Sequence, residues 1–137
     1  MSEDNTGLLK VTLLLYAVLC FIWGLGYVVI PDQLVEASGG EPVFSGWLRW
    51  SGAVLIALAT GAVMVYRNPR HQGIFVTIFA LGSFMCSLCL FWSMADVMRS
   101  GVGNWWFSAS AATPTLILAV LFWVARSRAM DVLYPGD

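Results

Sequence analysis

Charged residues are scarce in this chain, and their scarcity argues against an ordinary soluble protein. Only 11% of its 137 residues are Asp, Glu, Lys or Arg, against about 25% in an average soluble domain. The formal net charge of −1 offers no basic surface, so nucleic acid is not an expected partner. Hydrophobic residues make up 59% of the chain, and its mean hydropathy is +0.79. Such a composition requires a lipid solvent, so membrane lipids are the expected surroundings.

Histidine is almost absent as well. The single histidine, His71, lies in a polar connection and not in an apolar run. Haem held between helices usually takes two axial side chains, and metal sites need grouped His, Cys, Asp or Glu, so neither is expected. One histidine in that position also cannot complete a serine, histidine and acid triad, and the deep parts of the apolar runs lack the charges of a proton pump. We therefore predict no catalytic residue and no resident cofactor.

Four nearly uncharged runs fill most of the sequence. Each is about 20 residues long, the length that a helix rising about 1.5 Å per residue needs to cross a hydrocarbon core of about 30 Å. We predict a single all-α domain over residues 1–137, an integral membrane antiparallel four-helix bundle. Its spans are expected at about residues 11–30, 47–66, 73–95 and 105–125.

Two connections carry structural predictions of their own. Pro31 ends the first span, and residues 31–37 are predicted to form a short interfacial helix because proline suits a first helical position. The short polar link 67–72 predicts that the second and third spans are antiparallel neighbours. Small residues one turn apart predict helix contacts, and on the second span these are Ala53, Ala57 and Gly61. The equivalent stripes hold Gly82, Ser83, Cys86 and Ser87 on the third span and Ala111, Thr115 and Ala119 on the fourth.

Lysine and arginine are divided unequally between the two sides of the predicted bundle. The side shared by the amino end, the second connection and the tail holds Lys10, Arg67, Arg70, Arg126 and Arg128. The opposite side holds only Arg49 and Arg99. Loops rich in lysine and arginine usually stay on the cytoplasmic side of a membrane. We therefore predict that both termini are cytoplasmic, with the protein in a bacterial inner membrane.

The opposite, outer side collects aromatic and charged residues. Five tryptophans near the outer ends of the spans form an aromatic belt: Trp47, Trp50, Trp92, Trp105 and Trp106. Asp96 and Arg99 have a helical spacing that allows an ion pair, and Arg49 could pair with Glu41 or Asp96. The simpler interpretation is a structural clasp. The functional alternative is a site for an anion or a lipid headgroup, bordered by the tryptophans.

Cys86 and Cys89 form a CxxC in the third span, a spacing that redox proteins use because one thiol attacks a disulfide and the other resolves it. With quinone as cofactor, the pair would resemble that of four-helix thiol oxidases. Those enzymes also need a second cysteine pair in a connection, whereas the remaining cysteine, Cys20, lies in an apolar run. The alternative is that these cysteines are small packing residues.

The stretch Trp47–Gly61 (WLRWSGAVLIALATG) resembles the second-span signature of the DoxX-like small membrane proteins. In that group an arginine opens the second helix and a glycine follows, and here the matching residues are Arg49 and Gly52. Pro31 after the first span and Glu41 in an acidic outer loop extend the resemblance. It implies a four-span bundle, and some members are linked to thiosulfate or quinone redox complexes. The tryptophan-rich rim and the CxxC depart from the group.

Three functions remain open from the sequence. The absence of an evident site favours a non-catalytic accessory subunit or helper of a larger membrane assembly, with other membrane subunits or further copies of this chain as partners. A quinone-linked redox protein would use Cys86 and Cys89. A small-solute carrier or channel would need a continuous polar path, for which the candidate lining residues are Ser83, Ser87, Ser110 and Thr113.

Overall fold

The computed structural model describes residues 3–40 and 46–136, and within these ranges the chain forms helices and short turns without a strand. The helices are α1 (Glu3–Val29), α2 (Pro31–Ala37), α3 (Gly46–Arg67), α4 (Gly73–Ser100), α5 (Trp105–Arg128) and α6 (Met130–Leu133). The all-α prediction is confirmed. Four of these helices, α1, α3, α4 and α5, are long and apolar enough to cross a membrane.

The predicted elements agree closely with the helices observed. Each predicted span lies within one long helix, except that Ile30 follows the end of α1. Helix α2 covers the predicted residues 31–37, with Pro31 at its start and Asp32 in its first turn. Helix α4 continues beyond the predicted span to Ser100 and is capped by Gly101, whose φ of 69° is readily adopted by glycine.

The long helices form two antiparallel pairs. Helix α1 packs along α3, α4 packs along α5, and α1 also contacts α5, so the pairs join through α1 and α5. Gly24 near the end of α1 meets Gly52 near the start of α3. Thr77 near the start of α4 meets Arg126 near the end of α5. The spatial order is therefore α3, α1, α5, α4.

The second and third spans, α3 and α4, run antiparallel as predicted, but they do not form a closely packed pair. Helices α3 and α4 are joined by a short turn, but each packs mainly on another helix. The tail lies at that turn, with α6 seated beside it. The His71 N–H donates to the Val132 carbonyl at 3.4 Å, and the Tyr134 ring packs on Gly73. Leu133 of α6 is buried in the main apolar cluster.

The bundle has two distinct ends, named here the basic end and the tryptophan end. The basic end contains the start of α1, the turn between α3 and α4, and the end of α5. It is closed by α6 and by Arg126, which donates from Nε to Thr77 Oγ1 at 2.8 Å and from Nη2 to the Tyr134 hydroxyl at 3.3 Å. The tryptophan end contains α2 and the link between α4 and α5.

A clasp between α2 and that link holds the tryptophan end together. The Asn104 backbone N–H donates to the Ser38 carbonyl, and the Asn104 amide Nδ2 donates to the Ala37 carbonyl, both at 2.8 Å. Gly39 and Gly103 lie against each other here, with φ values of 74° and 98°. These contacts connect the pair α1 and α3 to the pair α4 and α5 outside the long helices.

The stripe of small residues predicted on α3 is wrong for two of its three members, while Gly61 is half-buried. Ala53 and Ala57 are exposed, whereas Gly52, Ala59 and Ala62 are buried against the bundle. The Gly24 and Gly52 backbones approach so closely that a Cβ added at Gly52 would lie 2.6 Å from the Gly24 carbonyl oxygen. That contact sets the rotation of α3. Of the stripe predicted on α5, Ala119 is buried against the bundle, whereas Ala111 and Thr115 line an interior space.

Candidate functional site

The candidate site is a cavity of about 350 Å³ inside the bundle, lined by all four long helices. Its floor, toward the basic end, consists of Tyr16 and Phe79, whose ring centroids are 5.1 Å apart. Phe122 supports both rings from below, at 5.3 Å from Tyr16 and 6.0 Å from Phe79. These three buried rings separate the cavity from the closed basic end.

Aromatic side chains also border the cavity toward the tryptophan end. Trp23 and Tyr27 of α1 line it, with ring centroids 5.8 Å apart. Phe107 at the start of α5 meets Trp23 edge to face at 5.6 Å. Large rings thus enclose the cavity above and below, while aliphatic side chains of α3, α4 and α5 supply most of the remaining walls.

The exposed residues of the lining, Ile78, Gly82 and Cys86, all lie on α4. Because α3 and α4 pack mainly on other helices, we infer that the cavity opens to the outside between them. Leu55 and Leu58 of α3 form one edge of this opening, and Gly82 and Cys86 of α4 form the other. Gly82 and Cys86 are both exposed, and a Cβ added at Gly82 would meet nothing within 4 Å. The opening exists because α3 and α4 pack on different partners.

The lining contains no charged residue and no histidine. Its polar side chains are Tyr16, Cys20, Tyr27, Ser83, Cys86 and Thr115. In the described residues no three His, Cys, Asp or Glu side chains lie together in a way that could hold a metal ion. An apolar cavity with a few uncharged polar groups is the usual form of a site for a small organic molecule.

Ser83 is the unusual polar group of this lining. Three serine and threonine residues are buried in the described part of the chain, and two of them bond back to their own helix, Thr12 to Leu8 and Ser87 to Phe84. Ser83 is only 2% exposed, and its Oγ has no hydrogen-bond partner. An unpaired buried polar group destabilises a fold by about 1 to 3 kcal/mol, so its presence in a cavity wall calls for an explanation.

The two cysteines of the predicted redox pair face different surroundings. Cys86 lines the cavity, whereas Cys89 lies in a shallow groove on the outer side of α4, beside Trp92 and Asp96. Both thiols are free and exposed. Cys20 is also free, is buried, and lines the cavity on the α1 side. A redox role for Cys86 and Cys89 stays a prediction.

The charged residues of the predicted outer-mouth site are spread over the tryptophan end. Asp96 and Arg99 do pair at 3.7 Å, but both are largely exposed, so the pair contributes little to stability. Arg49 is exposed and has no ion pair among the described residues. Glu41 lies outside the residues that the structure describes. An anion or headgroup site formed by these residues stays a prediction.

The tryptophans of that predicted site do not enclose a space. Trp47, Trp50, Trp92, Trp105 and Trp106 are between 52% and 74% exposed, and none of them lines the cavity. Exposed indole rings around one end are typical of an interfacial belt. The tryptophan that borders the cavity is Trp23, which lies deeper along α1 and was not among the predicted site residues.

The four hydroxyls proposed to line a solute path do not share one surface. Ser83 faces the cavity, and Ser87 is buried and bonded to the Phe84 carbonyl. Ser110 and Thr113 are both exposed on α5. In the described residues these side chains therefore form no continuous polar path.

No protein-family model, curated protein or solved structure matches this chain. The resemblance to DoxX-like proteins therefore stays a prediction. Two residues that carry it have clear structural roles here, because Gly52 permits the close contact of α3 with α1 and Pro31 begins α2. These roles belong to the packing and are separate from the cavity.

Proposed function

We propose that this chain is a non-catalytic multi-pass membrane protein that holds one small, uncharged, mainly apolar molecule and serves as an accessory subunit or helper of a larger membrane assembly. The observation that carries this proposal is the open cavity of about 350 Å³. Sites for small molecules span about 300 to 1,000 Å³, so this one suits a compact ligand. Its uncharged lining favours an uncharged ligand, because burying an unpaired charge costs several kcal/mol.

The position of the opening suggests how the ligand arrives. In a bilayer, the gap between α3 and α4 would face hydrocarbon, since both helices are apolar over the length of the cavity. An apolar molecule could then move sideways from lipid into the bundle without crossing water. The closed basic end, where α6 covers the core, argues for holding a molecule more than for passing it across the membrane.

The lining offers little for catalysis. Proton transfer in enzymes is mostly performed by histidine, carboxylates and lysine, and the cavity has none of these. An accessory role therefore fits better than an enzymatic one. We expect the protein to co-purify with a membrane partner, or with a second copy of itself, in mild detergent. Recovery as an isolated monomer under all mild conditions would contradict the accessory role.

The proposed location is a bacterial inner membrane with both termini in the cytoplasm. It is supported by the number of lysines and arginines at the basic end compared with the tryptophan end. A fluorescent protein fused to the carboxyl end should fluoresce, and alkaline phosphatase fused there should stay inactive. The reverse pattern would place the tryptophan end in the cytoplasm.

Ligand binding is tested on protein reconstituted in lipid nanodiscs. Native mass spectrometry should detect one retained small molecule per chain, identifiable after solvent extraction. Two variants place bulk in the cavity or its opening, Ser83→Leu and Gly82→Phe, and both should lose the molecule. Gly7→Phe is the matched control, because a Cβ at Gly7 also meets nothing within 4 Å but Gly7 is outside the lining. If both cavity variants retained the small molecule as well as the control variant does, the proposal would be refuted.

A second candidate function is the thiol redox protein, favoured by one observation. Cys86 lines the cavity, so a quinone bound there could contact a thiol directly. Oxidation of Cys86 and Cys89 to a disulfide would release two protons and two electrons, which would convert the quinone into its quinol. Adding a short-chain quinone should then protect both thiols from N-ethylmaleimide. Unchanged alkylation of the two thiols would remove this candidate.

A further inference from the structure

The unpartnered hydroxyl of Ser83 restricts the chemistry of the cavity's ligand. A serine in a membrane helix usually donates to a carbonyl of the preceding turn. Other hydroxyls in these helices do so, including Thr115, which also lines the cavity and donates to the Ala111 carbonyl at 2.7 Å. The Ser83 hydroxyl makes no such bond, although its side chain is buried and lies in the cavity wall.

We infer that the ligand carries an uncharged acceptor oxygen, such as that of a ketone, an ether or an alcohol, and that Ser83 Oγ donates a hydrogen bond to it. This inference rests on the proposed ligand-binding function and names its substrate class. The ligand oxygen would accept the hydrogen bond that the Ser83 hydroxyl does not make within the protein. The aliphatic and aromatic walls around Ser83 contact the hydrocarbon part of the same molecule.

The depth of Ser83 excludes an ordinary membrane phospholipid as the source of that oxygen. Ser83 lies ten residues after Gly73, which at about 1.5 Å per residue places it about 15 Å along α4. That distance is about half of a hydrocarbon core of about 30 Å, so the hydroxyl lies near the middle of the span. Phospholipid carbonyls stay at the interface with their headgroups. A ligand that reaches Ser83 must be a separate, uncharged amphiphile.

The binding experiment compares 2-octanone with octane, which has a similar shape but no oxygen. Each probe is added to the protein in nanodiscs, and its apparent affinity is obtained from the concentration dependence of thermal stabilisation. Partition of the probes into lipid is the same for every variant, so the preference for ketone over alkane can be compared between variants. Octanoate serves as a charged probe and should not stabilise the protein.

Two serine variants separate the inference from a general effect on packing. Ser83→Ala should reduce the ketone preference about fivefold, the factor expected for one neutral hydrogen bond. Ser87→Ala, a buried serine bonded to the Phe84 carbonyl, should leave the preference unchanged. Without any probe, Ser83→Ala should fold at least as stably as the unmodified protein, because it removes an unpaired polar group.

The possible results distinguish this inference from the proposed function. An equal ketone preference in the unmodified protein and in Ser83→Ala would overturn the role of Ser83. If 2-octanone and octane still stabilised both proteins in that case, the proposed ligand-binding function would stand. If neither probe stabilises the unmodified protein and no molecule is retained on purification, the proposed function itself fails. Stronger stabilisation by octanoate than by 2-octanone would refute the uncharged ligand class.

Discussion

The glycines at positions 52 and 82 should respond oppositely to the same substitution by alanine. Both lie inside long helices, where alanine is intrinsically favoured over glycine by about 1 kcal/mol. A Cβ at Gly52 would lie 2.6 Å from the Gly24 carbonyl oxygen and 2.9 Å from Tyr27 Cβ. One of these neighbours is a backbone atom of α1 and the other is the first side-chain atom of Tyr27, so neither can move without the helix. The two helices would therefore have to separate along their whole contact.

The magnitude follows from those distances. Restoring an ordinary contact of about 3.4 Å at Gly52 requires a local separation of more than about half an ångström, and overpacking of this kind destabilises by about 1 to 3 kcal/mol. After the gain in helix propensity, we expect Gly52→Ala to lower the free energy of unfolding by up to about 2 kcal/mol. Gly82→Ala meets no atom within 4 Å and should be neutral or stabilising by up to about 1 kcal/mol.

The assay is reversible unfolding of the detergent-solubilised protein by sodium dodecyl sulfate, followed by tryptophan fluorescence and circular dichroism. The denatured state keeps much of its helix in this detergent, so the propensity gain is reduced equally for both variants. The difference between Gly52→Ala and Gly82→Ala therefore measures the helix contact. If the two variants unfold at the same detergent concentration, the close packing of α1 on α3 at Gly52 is not part of the folded protein.

Three further substitutions test other contacts by the same unfolding assay. Leu133→Ala should destabilise by about 2 to 5 kcal/mol, because Leu133 is 1% exposed in the main apolar cluster, and a loss below about 1 kcal/mol would show that α6 does not close the basic end. Asn104→Ala removes the bond to the Ala37 carbonyl and should destabilise by about 1 kcal/mol, whereas an unchanged midpoint would mean that the clasp is open in solution. Asp96→Asn should change stability by less than about 0.5 kcal/mol, and a larger loss would indicate that Asp96 has a partner beyond Arg99.

Local features of the fold could be predicted because each depends on a short stretch of chain. The long apolar runs become helices since a helix satisfies its backbone polar groups within one segment. Pro31 marks the boundary of α1 and α2 because its ring favours a first helical position. The pair of Asp96 and Arg99 follows from spacing on one helix.

The rotation of α3 could not be predicted from its small residues alone. Alanine and glycine are frequent throughout this helix, so Ala53 and Ala57 were as plausible a contact stripe as Gly52 and Ala59. The choice depends on Gly24 of α1, because only two facing glycines allow the two backbones to approach so closely. The resemblance to DoxX-like proteins singles out Gly52, but nothing in the sequence identifies Gly24 as its partner.

The cavity could not be predicted from the sequence, although the predicted packing stripe on α4 contains some of its residues. Gly82, Ser83 and Cys86 were predicted as a packing stripe, whereas the structure places them at the wall and the opening of an unfilled space. Tyr16 and Trp23 could not be predicted as cavity residues, because single aromatic residues are common in apolar helices. The large rings of α1 face the small residues of α4, and the space between them forms the cavity. Neither helix shows this space in its own sequence pattern.

The sequence by itself determined that this chain forms four long apolar helices, which stretch of the chain each one occupies, and which ends carry the arginines and the tryptophans. Tertiary structure alone decided the order α3, α1, α5, α4, the seating of α6, and the open space beside Ser83. The physical reason is that helix formation uses hydrogen bonds between residues a single turn apart. Helix association between apolar surfaces depends instead on shape complementarity between residues far apart in the chain.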